Sequence, residues 1–263
     1  MTSHETKKQL SKEFSGLKYI LTSEMRSKLL LTIYEDSKNL DDLRNELKKP
    51  SATILHGLKE LENSNLVRKV QKYYELTSNG YLITTNMIKL IENWYSVNKS
   101  KAFWNNHDLS DIPDDALKNM YMLKNAEYVN STTSDLSNAF NAYIKQISKA
   151  RRLKIILPIY SENHFRHLVS LLNGDGLDRL ELVISEELEN SMRQNEYLKE
   201  SILENEKVKV KTIKHNVKLF LTISEEFISL TLFFKDGHYD DSQILIATDN
   251  EALKWALNLS THY

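Results

Sequence analysis

The chain contains no cysteine, and only three prolines and six glycines in 263 residues. Without cysteine there are no disulfides, thiolate metal sites, iron–sulfur clusters or cysteine nucleophiles, so any metal would have to be held by His and carboxylates. The same absence suits a reducing compartment. Scarce Pro and Gly, with 41% hydrophobic and 27% charged residues, exclude a low-complexity or disordered chain and favour a helix-leaning globular one. Long apolar runs are missing too: no segment approaches the roughly 18 residues of a membrane span, and the first residues, MTSHETKKQLSKEF, are polar. The expectation is a cytoplasmic protein with no membrane partner and no cofactor.

What is present is unevenly distributed. The net charge is −1, but residues 1–99 hold 16 Lys and Arg against 12 Asp and Glu, while residues 100–263 hold 19 against 24. A basic first part joined to an acidic second part points to a polyanion binder attached to something else. The length also exceeds one domain of about 100–200 residues. Two domains are therefore expected, 1–99 and 107–263, with a linker in the acidic segment HDLSDIPDD, 107–115, which carries Pro113.

In the first part, residues 1–17 read as a polar, partly ordered arm that supports a dimer. Ser23 is placed to cap a helix with Met25, Leu29, Leu30 and Ile33 on its apolar stripe. Asn39 is placed to cap a second, with Asp41 and Asp42 in its first turn, where they complement the helix dipole. Pro50 stops that helix, and Ser51 is expected to cap a third, running to about Asn63, with Ile54, Leu55, Leu58 and Leu61 inward. Two short strand-like runs, 66–70 and 73–76, flank a Gln71-Lys72 turn. A long helix to about Asn98 follows, with a broad apolar face (Leu82, Ile83, Met87, Leu90, Ile91, Trp94) suited to packing against another chain.

Three helices, a hairpin and a helix form the order of a winged helix-turn-helix. A recognition helix buries one face and offers small or polar side chains to base edges on the other. Ser51, Thr53, His56, Gly57 and Lys59 lie off the apolar stripe, and Arg68, Lys69 and Lys72 gather at the hairpin, where cations meet phosphates. The candidate DNA-binding residues are therefore Ser51, Thr53, His56, Lys59, Arg68, Lys69 and Lys72. The exit L-x-x-L-E-x-x-x-L-V (Leu58 to Val67) and the closing Y-x-L-T-x-x-G (Tyr74 to Gly80) resemble archaeal and bacterial ArsR/MarR-type winged helices. The Cys or His/Asp clusters of ArsR-type metal sensors have no counterpart here, so metal sensing is not carried over.

Beyond the linker, strand-like and helix-like runs alternate to about Leu203 in a βαβ pattern. Four further runs, 208–213, 217–223, 228–234 and 244–247, joined by short turns, are expected to be antiparallel, and a helix from Asn250 closes the chain. The segments HDLSDIPDDAL (His107 to Leu117), LPIY (Leu157 to Tyr160) and the block from Leu219 to Leu259 that includes FFKDGHYD resemble the second domain of archaeal, mainly methanogen, winged-helix regulators of methanogenesis or filament formation. That resemblance implies a mixed sheet related to phospholipase D-like domains. Their catalytic H-x-K-x4-D is missing: His164 is followed by Phe165-Arg166 and His215 by Asn216-Val217.

Other constellations are weaker. Gly174-Asp175-Gly176 lacks the strand before it and the third glycine of a dinucleotide loop, and reads as a turn. Glu162, His164 and His167 read as a solvated helix start rather than metal ligands. The polar cluster Lys235 to Asp241 reads as a hairpin turn with Asp236-Gly237 supplying the positive φ. In its functional reading Lys235, Asp236 and Tyr239 join Tyr160 and His164 at the rim of an effector pocket near the strand ends.

The chain thus reads as an α+β, non-enzymatic, homodimeric transcriptional regulator that binds double-stranded DNA and is controlled through its second domain by an unidentified effector, a small molecule or another protein. Two alternatives stay open at this level: a phosphodiesterase-like enzyme with an accessory helical domain, and a winged-helix component that binds protein.

Overall fold

The computed structural model describes residues 3–263, and for residues 3–6 and 8 the backbone alone. The described chain divides into two compact units, 1–91 and 92–263. Met1 and Thr2 of the expected arm lie outside the described residues. The rest of that arm is helical: α1, Ser3–Leu21, runs straight through Gly16.

The first unit continues with α2 (Glu24–Glu35), β1 (Lys38–Asn39), α3 (Leu40–Leu47), α4 (Ser51–Asn63), β2 (Val67–Val70), β3 (Tyr73–Leu76) and α5 (Ser78–Lys99). Local chemistry sets most of these boundaries. Ser23 Oγ accepts from the Arg26 amide at 3.3 Å, and Asn39 and Asp42 form a reciprocal capping box that satisfies donors the helix leaves open. Lys48, in the left-handed region at φ 51°, ends α3. Pro50, not Ser51, occupies the cap position of α4, so Ser51 is its first helical residue and no side chain caps it.

Leu29, Leu30, Ile33, Leu43, Ile54, Leu58 and Leu61 form the core. Leu55, expected inside, is exposed. Gly57, expected at the reading face, is buried instead, where a Cβ would come 2.8 Å from Leu29 Cδ1 and 3.1 Å from Met25 Cγ. It lets α4 lie close on α2. The strands make a small antiparallel sheet in the order β1-β3-β2, with Arg68 opposite Glu75 and Lys69 opposite Tyr74. β1 is too short to show as a sequence pattern.

The second unit holds α6 (Lys101–Asn106), α7 (Asp114–Lys118), a 3-10 turn (Met120–Leu123), β4 (Glu127–Asn130), α8 (Asn138–Ile147), β5 (Arg152–Ile156), α9 (Glu162–Asn173) and β6 (Arg179–Ser185). After these come α10 (Glu186–Gln194), α11 (Glu196–Leu198), a π turn (Lys199–Leu203), β7 (Val208–Ile213), β8 (Leu219–Ile223), β9 (Ile228–Leu232), β10 (Gln243–Ala247) and α12 (Asn250–Ser260). The sheet is mixed, in the order β4-β10-β9-β8-β5-β6-β7. Only β5, β6 and β7 are parallel to one another. β7, expected among the antiparallel strands, lies instead at the far edge, parallel to β6. Its exposed Lys209 and Lys211 guard that edge against further pairing.

Helices cover both faces, as an α/β sheet requires. On one side α8, α9 and α10 pack Tyr143, Phe165, Leu168 and Met192 against Ile155, Leu182 and Phe220. On the other, α6, α7 and α12 pack Phe103, Ala116 and Trp255 against Leu221, Leu230 and Leu245. The segment 107–115 is not a free linker. His107 is buried, with Nδ1 2.5 Å from the Phe103 carbonyl and Nε2 3.0 Å from Asp240 Oδ2, and its ring stacks on Phe234. Asp108 pairs with Lys218 at 2.6 Å, and Ile112 enters the core. The Lys218 hydrogen bond, helped by the Ser110 amide, holds the Asp108 carboxyl at a pKa of about 2.

Candidate nucleic-acid interface and ligand cavity

Helix α4 presents the required two faces. Ile54, Leu58 and Leu61 anchor it, while Thr53, His56 and Lys59 are exposed and Ser51 is half-buried at its start. Lys59 makes no ion pair among the described residues. His56 Nε2 lies 3.6 Å from Glu60 Oε1, and Glu60 is held by Arg26 at 2.6 Å, so this carboxylate belongs to the scaffold. The hydrogen bonds from Arg26 and Tyr19 keep the Glu60 pKa low.

In the wing-like hairpin the turn is made by Gln71 at φ 56°. Arg68 Nε donates to Glu75 Oε1 across the strands at 2.6 Å. Lys69 and Lys72 lie over the rings of Tyr74 and Tyr73, at 5.4 and 5.5 Å from their centroids. Aromatic support of this kind leaves a cation its charge and its donors, whereas the Arg68 charge is already partly answered.

Helix α5 carries a wide exposed apolar face, with Leu82, Leu90 and Trp94 at 61, 57 and 72% exposure. Met87, expected on that face, is buried in the first core.

The second unit holds a small cavity of about 40 Å³ between the β8–β10 face and helices α8 and α9. Of the five expected effector residues it brings two together, His164 and Tyr239, both beside the Phe220 ring at 5.1 and 6.4 Å. Tyr160 lines a different hollow with Arg166 and Tyr197, and Lys235 and Asp236 stand exposed in the β9–β10 connection, where Gly237 takes the positive φ of 91°. Burial, with the neighbouring His167 adding to it, lowers the His164 imidazole to a pKa of about 4. Burial likewise pushes the Tyr143 and Tyr239 phenols up. The ring and both phenols are therefore neutral near pH 7. Among the described residues no group of three or more His, Asp or Glu is arranged to hold a metal ion.

Phe140, Tyr143, Phe220, Ser229, Thr231 and Asp241 also line this cavity, and sequence reasoning missed them. The signal was there: Thr222, Ser229 and Thr231 are hydroxyl residues inside otherwise apolar strands, and all three are buried.

A family model described as "Methanogenesis regulatory protein FilR1, N-terminal domain" matches residues 14–94. A second, "Methanogenesis regulatory protein FilR1, middle domain", matches residues 136–263. The chain belongs to the FilR1 methanogenesis regulatory protein family. The FilR1 N-terminal match contains α4 and the hairpin, and the FilR1 middle match contains every residue that lines the cavity.

The FilR1 protein of Methanothrix harundinacea (strain 6Ac) is 25% identical over 253 residues, covering 94% of this chain and 56% of that protein. The chain thus spans little more than half the length of that relative. Among solved structures, TrmBL2, an archaeal chromatin protein, aligns over 91% of this chain and 92% of its own at 10% identity, with a TM-score of 0.38. MepR, a transcription regulator of the Staphylococcus aureus multidrug efflux pump MepA, aligns over 40% of this chain and 87% of its own at 17% identity, with a TM-score of 0.29. Neither likeness is close enough to carry structural detail across. No described helix is long and apolar enough to cross a membrane.

Proposed function

We propose that this FilR1-family chain is a sequence-specific, homodimeric DNA-binding transcriptional regulator and not an enzyme. The first unit is a winged helix-turn-helix that reads DNA, and the second is a regulatory domain with a phospholipase D-like sheet stripped of its H-x-K-x4-D chemistry. One observation carries the reading. Helix α4 is anchored by Ile54, Leu58 and Leu61 while Thr53, His56 and Lys59 face outward, next in sequence to a hairpin that displays Arg68, Lys69 and Lys72. In this reading α4, from Ser51, enters the major groove, the hairpin cations contact phosphates, and two copies read half-sites about 34 Å apart.

The test is the Lys59→Ala, Arg68→Ala, Lys69→Ala, Lys72→Ala quadruple variant, with DNA affinity measured against salt. Each lost phosphate contact lowers the log–log salt slope by about 0.9, so a loss of roughly two to four is expected. A folded variant with unchanged affinity and slope removes this surface from the interface.

A further inference from the structure

The cavity between the β8–β10 face and helices α8 and α9 is lined by polar side chains that make no hydrogen bond to the described residues. Ser229 is only 2% exposed and lines the cavity, yet its hydroxyl has no hydrogen-bond partner among the described residues. Its hydroxyl is open to the cavity and is not one of the fully enclosed atoms without a partner, which among the described residues are Thr84 Oγ1 and Asp249 Oδ2. The Gln243 amide and the Asp241 carboxylate, at the same cavity, also make no side-chain hydrogen bond or ion pair among the described residues. Three polar groups without a protein partner therefore line one hollow, Ser229 buried, Gln243 half-buried and Asp241 exposed.

The charge around the hollow restricts what fits. No Lys or Arg lines it, and the one charged side chain that does is Asp241, at its exposed rim. His164 is uncharged near pH 7, because burial lowers its pKa to about 4. Most of the remaining wall is aromatic, from Phe140, Tyr143, Phe220 and Tyr239, and Ala139, Thr231 and Ile244 complete it. Ring faces carry the negative end of the aromatic quadrupole and attract cations. An anion would meet a carboxylate and no counter-charge. The free volume of about 40 Å³ corresponds to roughly three water molecules, which limits the occupant to a few heavy atoms.

We propose that this cavity binds a small alkylammonium ion of about four heavy atoms, its charge balanced by Asp241 and the aromatic faces and its N–H donated to Ser229 or Gln243. The site rests on the reading of the second unit as regulatory, and names the class of effector that would act there. Tyr239 is followed by Asp240, whose carboxylate holds His107, so an occupant pressing on Tyr239 acts on the loop that anchors the start of the second unit.

The experiment uses the full chain at pH 7.5. Trimethylammonium and tetramethylammonium chloride are titrated by calorimetry and by aromatic-proton NMR, with sodium acetate as the anionic probe, tert-butanol as the neutral one and sodium chloride at matched ionic strength. Saturable binding of trimethylammonium is expected, weakened about tenfold by Asp241→Asn. Ser229→Ala is expected to weaken trimethylammonium more than tetramethylammonium, which has no N–H to donate. Thermal unfolding of both variants verifies that they fold, and either alone suffices as the test. Acetate or tert-butanol binding as tightly as the cation overturns the proposal, as does cation binding indifferent to both substitutions, or no saturation by either cation below about 100 mM. DNA affinity measured with and without trimethylammonium separates this from the regulatory reading. Binding that leaves DNA affinity unchanged keeps the site and removes the control, whereas a chain that binds DNA but no cation loses the site alone.

Discussion

Gly80 sits in the first turn of α5, where a Cβ would lie 1.9 Å from the Leu66 carbonyl oxygen. The obstacle is backbone, which cannot step aside as a side-chain end can. Thr77 builds the same corner: its hydroxyl donates to Asn65 O at 2.7 Å and accepts from the Gly80 amide at 3.0 Å. The T-x-x-G of the sequence is therefore a hydrogen-bonded corner with no room for a side chain. Gly80→Ala is expected to cost about 2 kcal/mol or more, in the range of overpacked sites, and to lower the denaturant midpoint of the first unit. An unchanged midpoint would mean that the corner opens freely. At the same scale, Gly57 shows how a small residue misleads: it was read as room for a base edge, and it is room for Leu29 and Met25.

At the scale of elements, α5 poses the clearest question. A helix that buries Thr84, Met87 and Ser96 but exposes Leu82, Leu90 and Trp94 has its apolar side turned the wrong way for an isolated monomer. In the proposed function that side belongs to the dimer. Sedimentation equilibrium is expected to give a dimer for the native chain and a monomer for the Leu82→Glu, Leu90→Glu double variant, with DNA affinity falling alongside. A native chain that sediments as a monomer at DNA-binding concentrations ends the dimer part of the reading. The alternation in β8 and β9 makes the complementary point. Leu219, Leu221, Ile228 and Leu230 face one core, while Phe220, Thr222, Ser229 and Thr231 face α8 and α9, so a single period-2 pattern builds both a dry layer and the cavity floor.

For the whole molecule, the depressed pKa of His164 couples folding to pH. Its imidazole is neutral in the folded chain down to pH of about 4 but takes a proton near 6.5 when unfolded. Between those values the unfolded state holds more protons, so stability is full above about 6.5 and falls as pH drops towards 4. The slope from this group approaches about 1.4 kcal/mol per pH unit, and it flattens below pH of about 4. Unfolding of the second unit, followed by tryptophan fluorescence, since Trp94, Trp104 and Trp255 all belong to it, is expected to show this acid-side loss in the native chain and a shallower one in His164→Phe. Equal slopes in the two chains would place the titration elsewhere.

The caps at Ser23 and Asn39, the hairpin, the positive φ at Gly237 and most of the apolar stripes of α2 to α4 were legible in the sequence, because each is settled by residues within one turn or one strand of one another. The same locality made most of the exposed face of α4 readable, although Leu55, expected inside, is exposed and Gly57, expected outside, is buried. Tertiary structure alone decided the rest. It carried β7 to the far edge parallel to β6, drew His107 to Asp240 across the second unit, and gathered Tyr143, Phe220, Ser229 and Tyr239 around one hollow while leaving Tyr160, Lys235 and Asp236 outside it. Strand order and register are properties of the whole sheet, set by which faces must be buried together. A segment's own periodicity says that it has a buried face, but not what that face will meet.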